Sequence, residues 1–496
     1  MFKYFKKPFK GGLHLKGNKE STKNKTIDRQ LKPQRIYLSL QQRNGVLLNA
    51  LVKVGDKVGK GQLVAKGEND MCVPLHSSIN GVVEAIKPYI SIHPSGIKCN
   101  TIIIKADNDI TGWAKELTPC NTAELTADEM IKRVLDAGVV GLGGAGFPTG
   151  IKLRLARDTK VHTLLINGGE CEPYLTCDDR LMQEKPAEIV AGVSLMMQAI
   201  GCEHGIIAIE DNKPESIAAI ENASSESSNI KVHVVPSLYP MGSERHLIKT
   251  VTNITIPPGE LSANYGILVN NVATAQAVYH AIRFQRPLVD RVFTISGKGI
   301  ERPRNLVIPV GTRVGDLITA CGGLTMNAER LIAGGPMMGQ VISSPSAPVD
   351  KSIGGILALS SDEVRAEQTN DCVRCGRCVR SCPMGLMPFQ MGALSRVSDY
   401  EALQDYGIDN CLFCGACSFV CPSRIPLVQQ FMHSRGQINA QRSMTKKMAL
   451  AKQLAKGRTA RIAKELAAKK AAKAAKSKRR PRRAVKAVAE VGEKNG

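Results

Sequence analysis

The amino-acid sequence predicts a multidomain protein of the α/β and α+β classes that ends in a basic helical or disordered tail. Its 496 residues exceed the size of one compact domain, and a hydrophobic fraction of 43% is sufficient for several cores. Strand-like and helix-like runs alternate in the middle of the chain, and a repeated cysteine pattern follows them. We expect six parts along the chain: a basic lead-in (1–35), a small β module (36–106), an α/β domain (120–285), a second small module (290–345), a cysteine domain (365–435) and a basic tail (441–496).

The net charge of +23 is concentrated at the two ends of the chain. Residues 1–35 carry a net charge of +9 and residues 441–496 carry +16, so the 405 residues between them carry −2. The charge therefore belongs to a basic lead-in and a basic tail, and it does not indicate a basic groove across the folded body.

The tail is rich in Ala, Lys and Arg, and its pattern favours a helix as far as Pro481. A solvated or disordered tail is the first expectation, and contact with anionic lipid is the second. We do not expect nucleic-acid binding, because no aromatic side chains alternate with the charged ones to stack on bases.

The chain shows no sequence signal for membrane insertion or for export. No apolar stretch reaches the roughly 18 to 20 residues of a spanning helix, and the basic N-terminus lacks the apolar core of a signal peptide. We therefore expect a protein that is neither secreted nor integral to a membrane, whose 15 cysteines are reduced thiols. Eight of them fall in two tight groups that suit a metal, and most of the other seven are expected to be buried thiols in the cores.

Residues 36–106 consist of short β-rich runs divided by glycines. This pattern resembles the hammerhead, or barrel-sandwich, fold of lipoyl and biotinyl carriers. A carrier needs a lysine at its hairpin tip, and none occurs between Gly67 and Ile86. The resemblance therefore implies a docking module without a prosthetic group.

The next two parts differ in the order of their elements. Between 120 and 285, alternating strands and helices predict a layered α/β domain with a largely parallel sheet. Its predicted helices are 127–137 and 188–200, and its predicted strands are 161–166, 205–209 and 232–235. Residues 290–345 are expected to form a small β-grasp-like module of strands and turns, which include 307–310, 313–319 and a Gly-rich turn at 333–336.

The cysteines provide the most specific pattern in the sequence. Two groups share the spacing C-x2-C-x2-C-x3-C-P, which is typical of a bacterial ferredoxin domain with two [4Fe–4S] clusters. In such domains the fourth cysteine of each group ligates the other cluster. The expected ligands are Cys372, Cys375, Cys378 and Cys421 for cluster 1, and Cys382, Cys411, Cys414 and Cys417 for cluster 2. The alternative is a pair of structural zinc sites with four thiolates each.

A glycine-rich loop extends from Gly138 to Lys152, where one predicted helix ends and the next begins. So many glycines allow the backbone to approach a phosphate closely, and Lys152 adds a positive charge. A loop of this kind can equally be a simple turn.

Four segments in order resemble the NADH-binding flavoprotein subunit of respiratory complex I. Residues 141–152 resemble its flavin loop, and residues 167–173 with 179–182 resemble its acidic stretch. Residues 239–244 and 270–274 are similar to its Tyr/Gly/Glu segment and its Asn-Asn-Val-x-Thr turn. The resemblance implies an FMN site with an adjacent NADH site.

The resemblance also implies roles for single residues. Those expected to bind FMN or its phosphate are Gly141, Gly143, Gly144, Gly146, Lys152, Asn167, Asn270, Asn271 and Thr274. Phe147 would stack on a ring, and Glu170, Glu172 and Glu244 would lie near the nicotinamide nucleotide. For Glu170 and Glu172 the alternative is a solvated or helix-capping carboxylate. The sequence departs from the family pattern at Gly169, Ser243 and Leu155, which puts the details of NADH binding in doubt.

The order of the modules across about residues 10–440 resembles the C subunits of Rnf/Rsx ion-translocating electron transport complexes. This resemblance implies an NADH-linked flavin/iron–sulfur oxidoreductase subunit that exchanges electrons with ferredoxin or another low-potential carrier. It also implies membrane partner subunits that couple the reaction to ion movement, and a peripheral position on the cytoplasmic side of the bacterial inner membrane. The alternatives are the flavoprotein subunit of a soluble NADH-dependent hydrogenase or formate dehydrogenase, and a non-catalytic iron–sulfur relay.

Overall fold

The first module is a β-sandwich whose two small sheets enclose an aliphatic core. The computed structural model describes residues 8–42, 45–109, 112–364 and 368–478, with side chains as far as residue 475. One sheet has the order β1-β7-β6-β3 and the other has the order β2-β4-β5. Ile36, Val64, Ile79, Ile102 and Ile104 are fully buried between them. The strands are β1 (Arg35–Ser39), β2 (Asn49–Ala50), β3 (Lys57–Val58), β4 (Leu63–Lys66), β5 (Leu75–His76), β6 (Gly81–Ile90) and β7 (Lys98–Ala106).

The central domain is a parallel four-stranded sheet with the order β10-β9-β8-β11, surrounded by helices. Strands β8, β9 and β11 are largely buried because helices cover the sheet, whereas the edge strand β10 exposes Lys231 and His233. Its elements are α1 (Ala127–Asp136), α2 (Thr149–Asp158), β8 (Thr163–Gly168), α3 (Cys177–Glu184), α4 (Pro186–Ile200), β9 (His204–Glu210), α5 (Pro214–Ala223), β10 (Ile230–Val235), α6 (Glu244–Thr252), β11 (Ile267–Asn271) and α7 (Val272–Phe284), with 3-10 turns at Thr122–Glu124 and Ser262–Tyr265.

The β-grasp-like module is a mixed five-stranded sheet with the order β13-β12-β16-β14-β15 and one helix. Its elements are β12 (Asp290–Ser296), β13 (Arg304–Pro309), α8 (Val314–Ala320), β14 (Ala328–Ala333), β15 (Gln340–Val341) and β16 (Gly355–Ser360). The expectation of strands and turns at 313–319 was wrong, because this segment forms α8. Val314, Leu317 and Ile318 lie on one face of that helix and are buried in the module's core.

The cysteine domain contains two short helices that follow the two C-x2-C loops and pack against each other. Its elements are α9 (Arg377–Ser381), α10 (Pro388–Arg396), α11 (Tyr400–Asp405), a 3-10 turn (Ile408–Asn410), α12 (Ala416–Phe419) and the start of α13 (Leu427–Lys478). The four modules thus confirm a mixed α/β architecture at the level of a sandwich, a parallel domain, a β-grasp-like unit and a cysteine domain.

The chain divides into two units, residues 1–431 and residues 432–496. In the second unit the side chains of residues 441–475 are exposed along helix α13. Residues 1–7 of the basic lead-in, and the helix end predicted at Pro481, lie outside the described residues. Within the described part of the chain, no helix has the length and apolar character needed to cross a membrane.

A buried lysine joins three modules next to the glycine-rich loop. Lys351, which precedes β16, donates from Nζ to Gly138 O at 2.8 Å and to Pro74 O at 3.2 Å. These carbonyls belong to the start of the loop and to the β-sandwich. Burial lowers the pKa of Lys351 from 10.5 to about 7, because desolvation disfavours the ammonium form.

We expect Lys351→Met to remove a pH-dependent part of the protein's stability. Between pH 7 and 10 the unfolded chain retains a proton that the folded chain has released, so the free energy of unfolding rises with pH. The full pH-dependent change in the free energy of unfolding is on the order of 5 kcal/mol as an upper bound. Apparent melting temperatures measured from pH 7 to 10 should therefore rise more for the wild type than for the variant. Lys132→Met, at an exposed position on α1, is the control, and parallel profiles for wild type and Lys351→Met would contradict the expectation.

Candidate cofactor sites

The central sheet has a crevice where its strand order reverses. From β8 the chain moves outward through β9 and β10, and it then returns to the other side of β8 as β11. Ligands of parallel α/β sheets bind at such switch points, outside the carboxyl ends of the strands. Here the register places Asn271 of β11 opposite Asn167 of β8, so two sequence-predicted residues meet at the crevice.

The glycine-rich loop lies over this crevice, between α1 and α2. It is closed by hydrogen bonds from Gly141 N to Phe147 O at 2.9 Å and from Gly146 N to Gly141 O at 3.2 Å. Leu142 N donates to Thr274 Oγ1 at 2.9 Å, which fixes the loop to the first turn of α7. A Cβ atom at Gly143 would lie 3.2 Å from Asn271 Cβ, whereas one at Gly144 would meet open space. The loop thus brings Gly141–Gly146 beside Asn270–Thr274 and leaves one side open to a ligand.

Three of the predicted polar residues shape the crevice through their own hydrogen bonds. Asn271 accepts Ala273 N at the start of α7 and donates to Asp178 Oδ2 at 2.6 Å. Asn167 accepts Gly169 N and donates to Gly242 O, each at 2.9 Å. Thr274 is fully buried beneath the loop. The side chains of Asn271, Asn167 and Thr274 therefore fix the positions of the loop, of α7 and of the segment that contains Gly242.

Asn270 has a different environment from its neighbour Asn271. Its side chain is buried, yet Nδ2 has no hydrogen-bond partner among the described residues, and neither has the buried Oγ1 of Thr149 at the start of α2. A buried donor without an acceptor costs about 1 to 3 kcal/mol. A ligand with carbonyl or phosphate oxygens would remove this cost, so the residues present fit a flavin nucleotide.

Glu170 caps a helix, which was the alternative to a position near the nicotinamide nucleotide. Its carboxylate accepts Asp178 N at 2.8 Å and Asp179 N at 3.2 Å in the first turn of α3. Lys19 Nζ of the lead-in lies 3.8 Å from it. In this arrangement the carboxylate stabilises the N-terminus of α3 and is almost fully buried.

Glu172 extends away from the crevice into the β-grasp-like module. It accepts Met337 N at 3.0 Å and Met338 N at 2.8 Å, in the turn between β14 and β15. A Cβ atom at Gly335 would collide with the carboxylate of Glu172, which explains the glycine in the turn at 333–336. Burial raises the pKa of Glu172 from 4.5 to about 7, although the two N–H donors favour its charged form.

Lys152 and Glu244 form a more open pair beside β11. Lys152 Nζ donates to Val269 O, one residue before Asn270, and lies 3.8 Å from Glu244 Oε2. Glu244 also accepts the Ser262 hydroxyl. Two apolar side chains of this region, Phe147 and Leu155, are 42% and 39% exposed. Their exposed surface is available for packing against the ring of a ligand.

Steric crowding explains why position 169 holds a glycine, where the sequence departs from the flavoprotein pattern. A Cβ atom at this position would lie 3.0 Å from Asn167 Oδ1, which already accepts Gly169 N. A side chain at position 169 would therefore require Asn167 to shift from its bond to Gly242 O.

The cysteine domain brings together the four thiols of the expected cluster 2. A cavity is lined by these cysteines and by apolar side chains that include Met384, Leu386, Met391, Val428 and Phe431. The cysteines in this lining are Cys382, Cys411, Cys414 and Cys417. Burial and the neighbouring thiols raise the pKa of Cys417, and burial together with the Cys382 charge raises that of Cys414 to about 11. Four converging thiols in an apolar cavity fit an iron–sulfur cluster.

Two of the other four cysteines lie nearer to solvent. Cys372 and Cys375 are exposed, while Cys378 is buried. Burial raises the pKa of Cys378, and the charge of Cys421 contributes to the same shift, so Cys421 lies near the first group. The seven remaining cysteines lie outside the cysteine domain, and Cys72, Cys177, Cys202 and Cys321 among them are buried.

A tyrosine of the central domain contacts the cluster 2 cysteines directly. Tyr239, which is 3% exposed, donates its hydroxyl to Cys414 O at 2.6 Å. His246 of α6 has Nε2 at 3.2 Å from Pro383 O, next to Cys382. The crevice and the cysteine cavity are therefore parts of one packed body.

Comparison with known proteins gives four family matches along the chain. Residues 7–109 match the RnfC barrel sandwich hybrid domain, and residues 134–280 match the Nuo51 FMN-binding domain. Residues 292–341 match the SLBB domain, and residues 371–425 match the 4Fe-4S dicluster domain. These matches confirm the expectation of an FMN-binding domain and of two iron–sulfur clusters.

Three curated relatives are similar over most of the chain. The C subunit of the ion-translocating oxidoreductase complex of Rhodobacter capsulatus is 41% identical over 88% of this chain and 84% of its own length. The protein of that name from Haemophilus influenzae is 37% identical over 92% of this chain and 56% of its own length. The C subunit of the proton-translocating ferredoxin:NAD(+) oxidoreductase complex of Clostridium ljungdahlii is 38% identical over 81% of this chain and 88% of its own length.

We expect Asn270→Leu to weaken FMN binding without destabilising the flavin-free protein. The change removes a buried donor that lacks a protein partner, so the chain loses no internal hydrogen bond, whereas the ligand loses one. The loss corresponds to about tenfold weaker binding. Flavin released on denaturation, and the melting temperature of the flavin-free protein, measure the two effects. Asn264→Ala at an exposed position is the control, and full flavin content in Asn270→Leu would contradict the role of Asn270.

Proposed function

The chain belongs to the family formed by the C subunits of ion-translocating oxidoreductase complexes, and from this premise we propose that it carries electrons between NADH and a low-potential protein carrier. FMN in the crevice of the central domain and two [4Fe–4S] clusters in the cysteine domain form the route. Membrane subunits of the same complex couple this transfer to ion movement. The names of the relatives favour this function over a soluble hydrogenase or formate dehydrogenase subunit.

The division of cofactors matches the electron count of the reaction. FMN accepts the two electrons of NADH as a hydride and releases them singly, which suits clusters that each accept one. NADH loses a hydride and becomes NAD⁺, and the two electrons leave the chain one at a time. The residues of the chain bind and orient these groups. The glycine-rich loop would hold the phosphate, Asn270 would donate to the flavin, and Lys152 and Glu244 border the open side where the nicotinamide nucleotide would lie.

The contact between Tyr239 and Cys414 is the observation that carries this proposal. It supports a route between the two sites, because Tyr239 of the central domain and Cys414 of the cysteine domain belong to one compact unit and share a hydrogen bond. The proposed ligands are Cys382, Cys411, Cys414 and Cys417 for cluster 2, and Cys372, Cys375, Cys378 and Cys421 for cluster 1. The grouping of Cys382 with the second group, and of Cys421 with the first, supports this exchange.

The exposed loop of cluster 1 is the proposed exit for electrons. Arg374, Arg377 and Arg380 are exposed around Cys372 and Cys375, and Asp371 is the acidic residue of the same loop. Such a cationic rim favours an acidic partner protein through electrostatic steering. A peripheral position on the cytoplasmic side of the inner membrane, with the exposed basic part of α13 near anionic lipid headgroups, belongs to the same proposal.

An anaerobic titration with NADH tests the function directly. We expect the flavin absorbance to bleach and the EPR signals of reduced [4Fe–4S] clusters to follow, because hydride acceptance and cluster reduction occur within one chain. Clusters that dithionite reduces but NADH does not, together with an unbleached flavin, would instead identify an iron–sulfur relay without nucleotide binding.

We expect Cys375→Ser to remove cluster 1 while cluster 2 and FMN remain. The exposed position of Cys375 allows the change without disturbing a core, and only one cluster site loses a thiolate. Iron content should fall by about half, because one cluster of two is lost, and one of two EPR signals should disappear. Cys99→Ser, at a thiol of the β-sandwich, is the control. Two intact clusters in Cys375→Ser, or bound zinc in place of iron, would contradict the assignment.

A further inference from the structure

The N-terminal lead-in passes between the central domain and the cysteine domain. Leu13 and Tyr239 exchange two backbone hydrogen bonds, at 2.8 and 2.9 Å, and Gly12 N donates to Ser381 O at 3.2 Å. The Phe9 ring packs edge-on against His246 with 4.3 Å between ring centroids. Residues 9–13 therefore bind both sides of the boundary between the two domains.

Two glycines make this close approach possible. Gly11 and Gly12 have φ angles of +72° and +74°, in the left-handed region that favours glycine. A Cβ atom at Gly11 would lie 2.5 Å from the carbonyl oxygen of Cys382, and one at Gly12 would lie 3.0 Å from Tyr239 O. The backbone of the lead-in is thus in direct contact with the backbone of a proposed cluster 2 ligand.

Tyr239 continues this contact to the other side of cluster 2 and to the flavin crevice. Its backbone pairs with Leu13, and its hydroxyl donates to Cys414 O. Three residues later, Gly242 O accepts the amide of Asn167 at the end of β8. A short, buried path therefore connects the crevice through residues 239–242 to Cys414.

We propose that residues 9–13 and Tyr239 form a clamp that sets the position of cluster 2 relative to the flavin, so that cluster 2 is the one that exchanges electrons with it. This inference rests on the proposed function. The clamp contacts Cys382 and Cys414, both in the cluster 2 set, whereas Cys372 and Cys375 of cluster 1 are exposed. Since electron transfer slows steeply with distance, a small displacement of this loop has a large kinetic effect. Residues 9–13 and Tyr239 act as positioning residues, and the electrons pass singly from reduced FMN to cluster 2 and then to cluster 1.

Gly11→Ala tests the clamp against a matched control. Gly201 has a φ angle of +70° and open space around its Cβ position, so Gly201→Ala introduces the same backbone strain without the collision at Cys382. After rapid mixing with NADH, we expect flavin bleaching at the wild-type rate in both variants. Cluster reduction, followed by freeze-quench EPR, should be slowed in Gly11→Ala only. A wild-type rate of cluster reduction in Gly11→Ala with full cofactor content would overturn the proposal.

Tyr239→Phe provides a second test that does not depend on NADH. In the Cys375→Ser background cluster 2 is the remaining cluster, and loss of the hydroxyl donor at Cys414 O should shift its midpoint potential in an EPR-monitored titration with dithionite. Tyr265→Phe, which removes an exposed hydroxyl bonded to Glu260, should leave the potential unchanged. An unshifted midpoint potential in Tyr239→Phe would overturn the clamp. This test remains decisive even when Gly11→Ala loses its clusters. A wild-type protein whose flavin is not reduced by NADH would instead overturn the proposed function, and the dithionite titration would still decide on the clamp.

Discussion

The buried contacts between the central domain and the second cysteine group are the constraint on which the other modules depend. Electron transfer between two sites in one chain requires a fixed separation, and a loop with two short helices cannot maintain it alone. Tyr239 provides one fixed contact, and Glu172 provides another from the same domain to the Met337–Met338 turn. That turn in turn lies against the cysteine domain, since a Cβ atom at Gly415 would be 2.6 Å from Met337 O. Because buried polar groups must keep their partners, these contacts resist displacement.

The β-sandwich and the β-grasp-like module support the glycine-rich loop from behind. Arg291 of β12 is buried and donates to Leu142 O at 3.3 Å and to Lys351 O at 2.7 Å. Lys351 donates to the start of the same loop, and Ser78 of the β-sandwich donates to Val310 O at 2.8 Å. Two basic side chains, Arg291 and Lys351, therefore hold the loop through its carbonyl groups. The β-sandwich and the β-grasp-like module thus contribute to the geometry of the glycine-rich loop.

The features that could be predicted from the sequence are those that depend on a local pattern of residues, such as strands and cysteine motifs. The buried strands β8 and β9 are apolar runs between turn residues, and the cysteine spacing indicates cluster ligands without any tertiary information. Strand β10 lies where the sequence predicts it, but at the sheet edge with Lys231 and His233 exposed rather than buried. Helix α8 was missed because its seven residues include Gly315 and several β-branched residues, whose low helix propensity is overcome by burial in the core. The partners of Glu172 are 165 and 166 residues away in sequence, and no local signal distinguishes such a contact from a nucleotide-binding carboxylate.

The two cysteine groups show how tertiary packing differentiates identical motifs. Their spacing is the same, yet Cys372 and Cys375 are exposed, whereas Cys411 and Cys414 at the equivalent positions are half-buried. Reduction adds negative charge to a cluster, and a buried site stabilises that charge less than a solvated one does. The lead-in and the central domain contact Cys382 and Cys414, one from each motif, and leave Cys372 and Cys375 exposed, so the two proposed cluster sites differ in access. Under the proposed function, this difference in access gives the domain a direction, with the more covered cluster site near the flavin crevice and the more exposed one open to a partner protein.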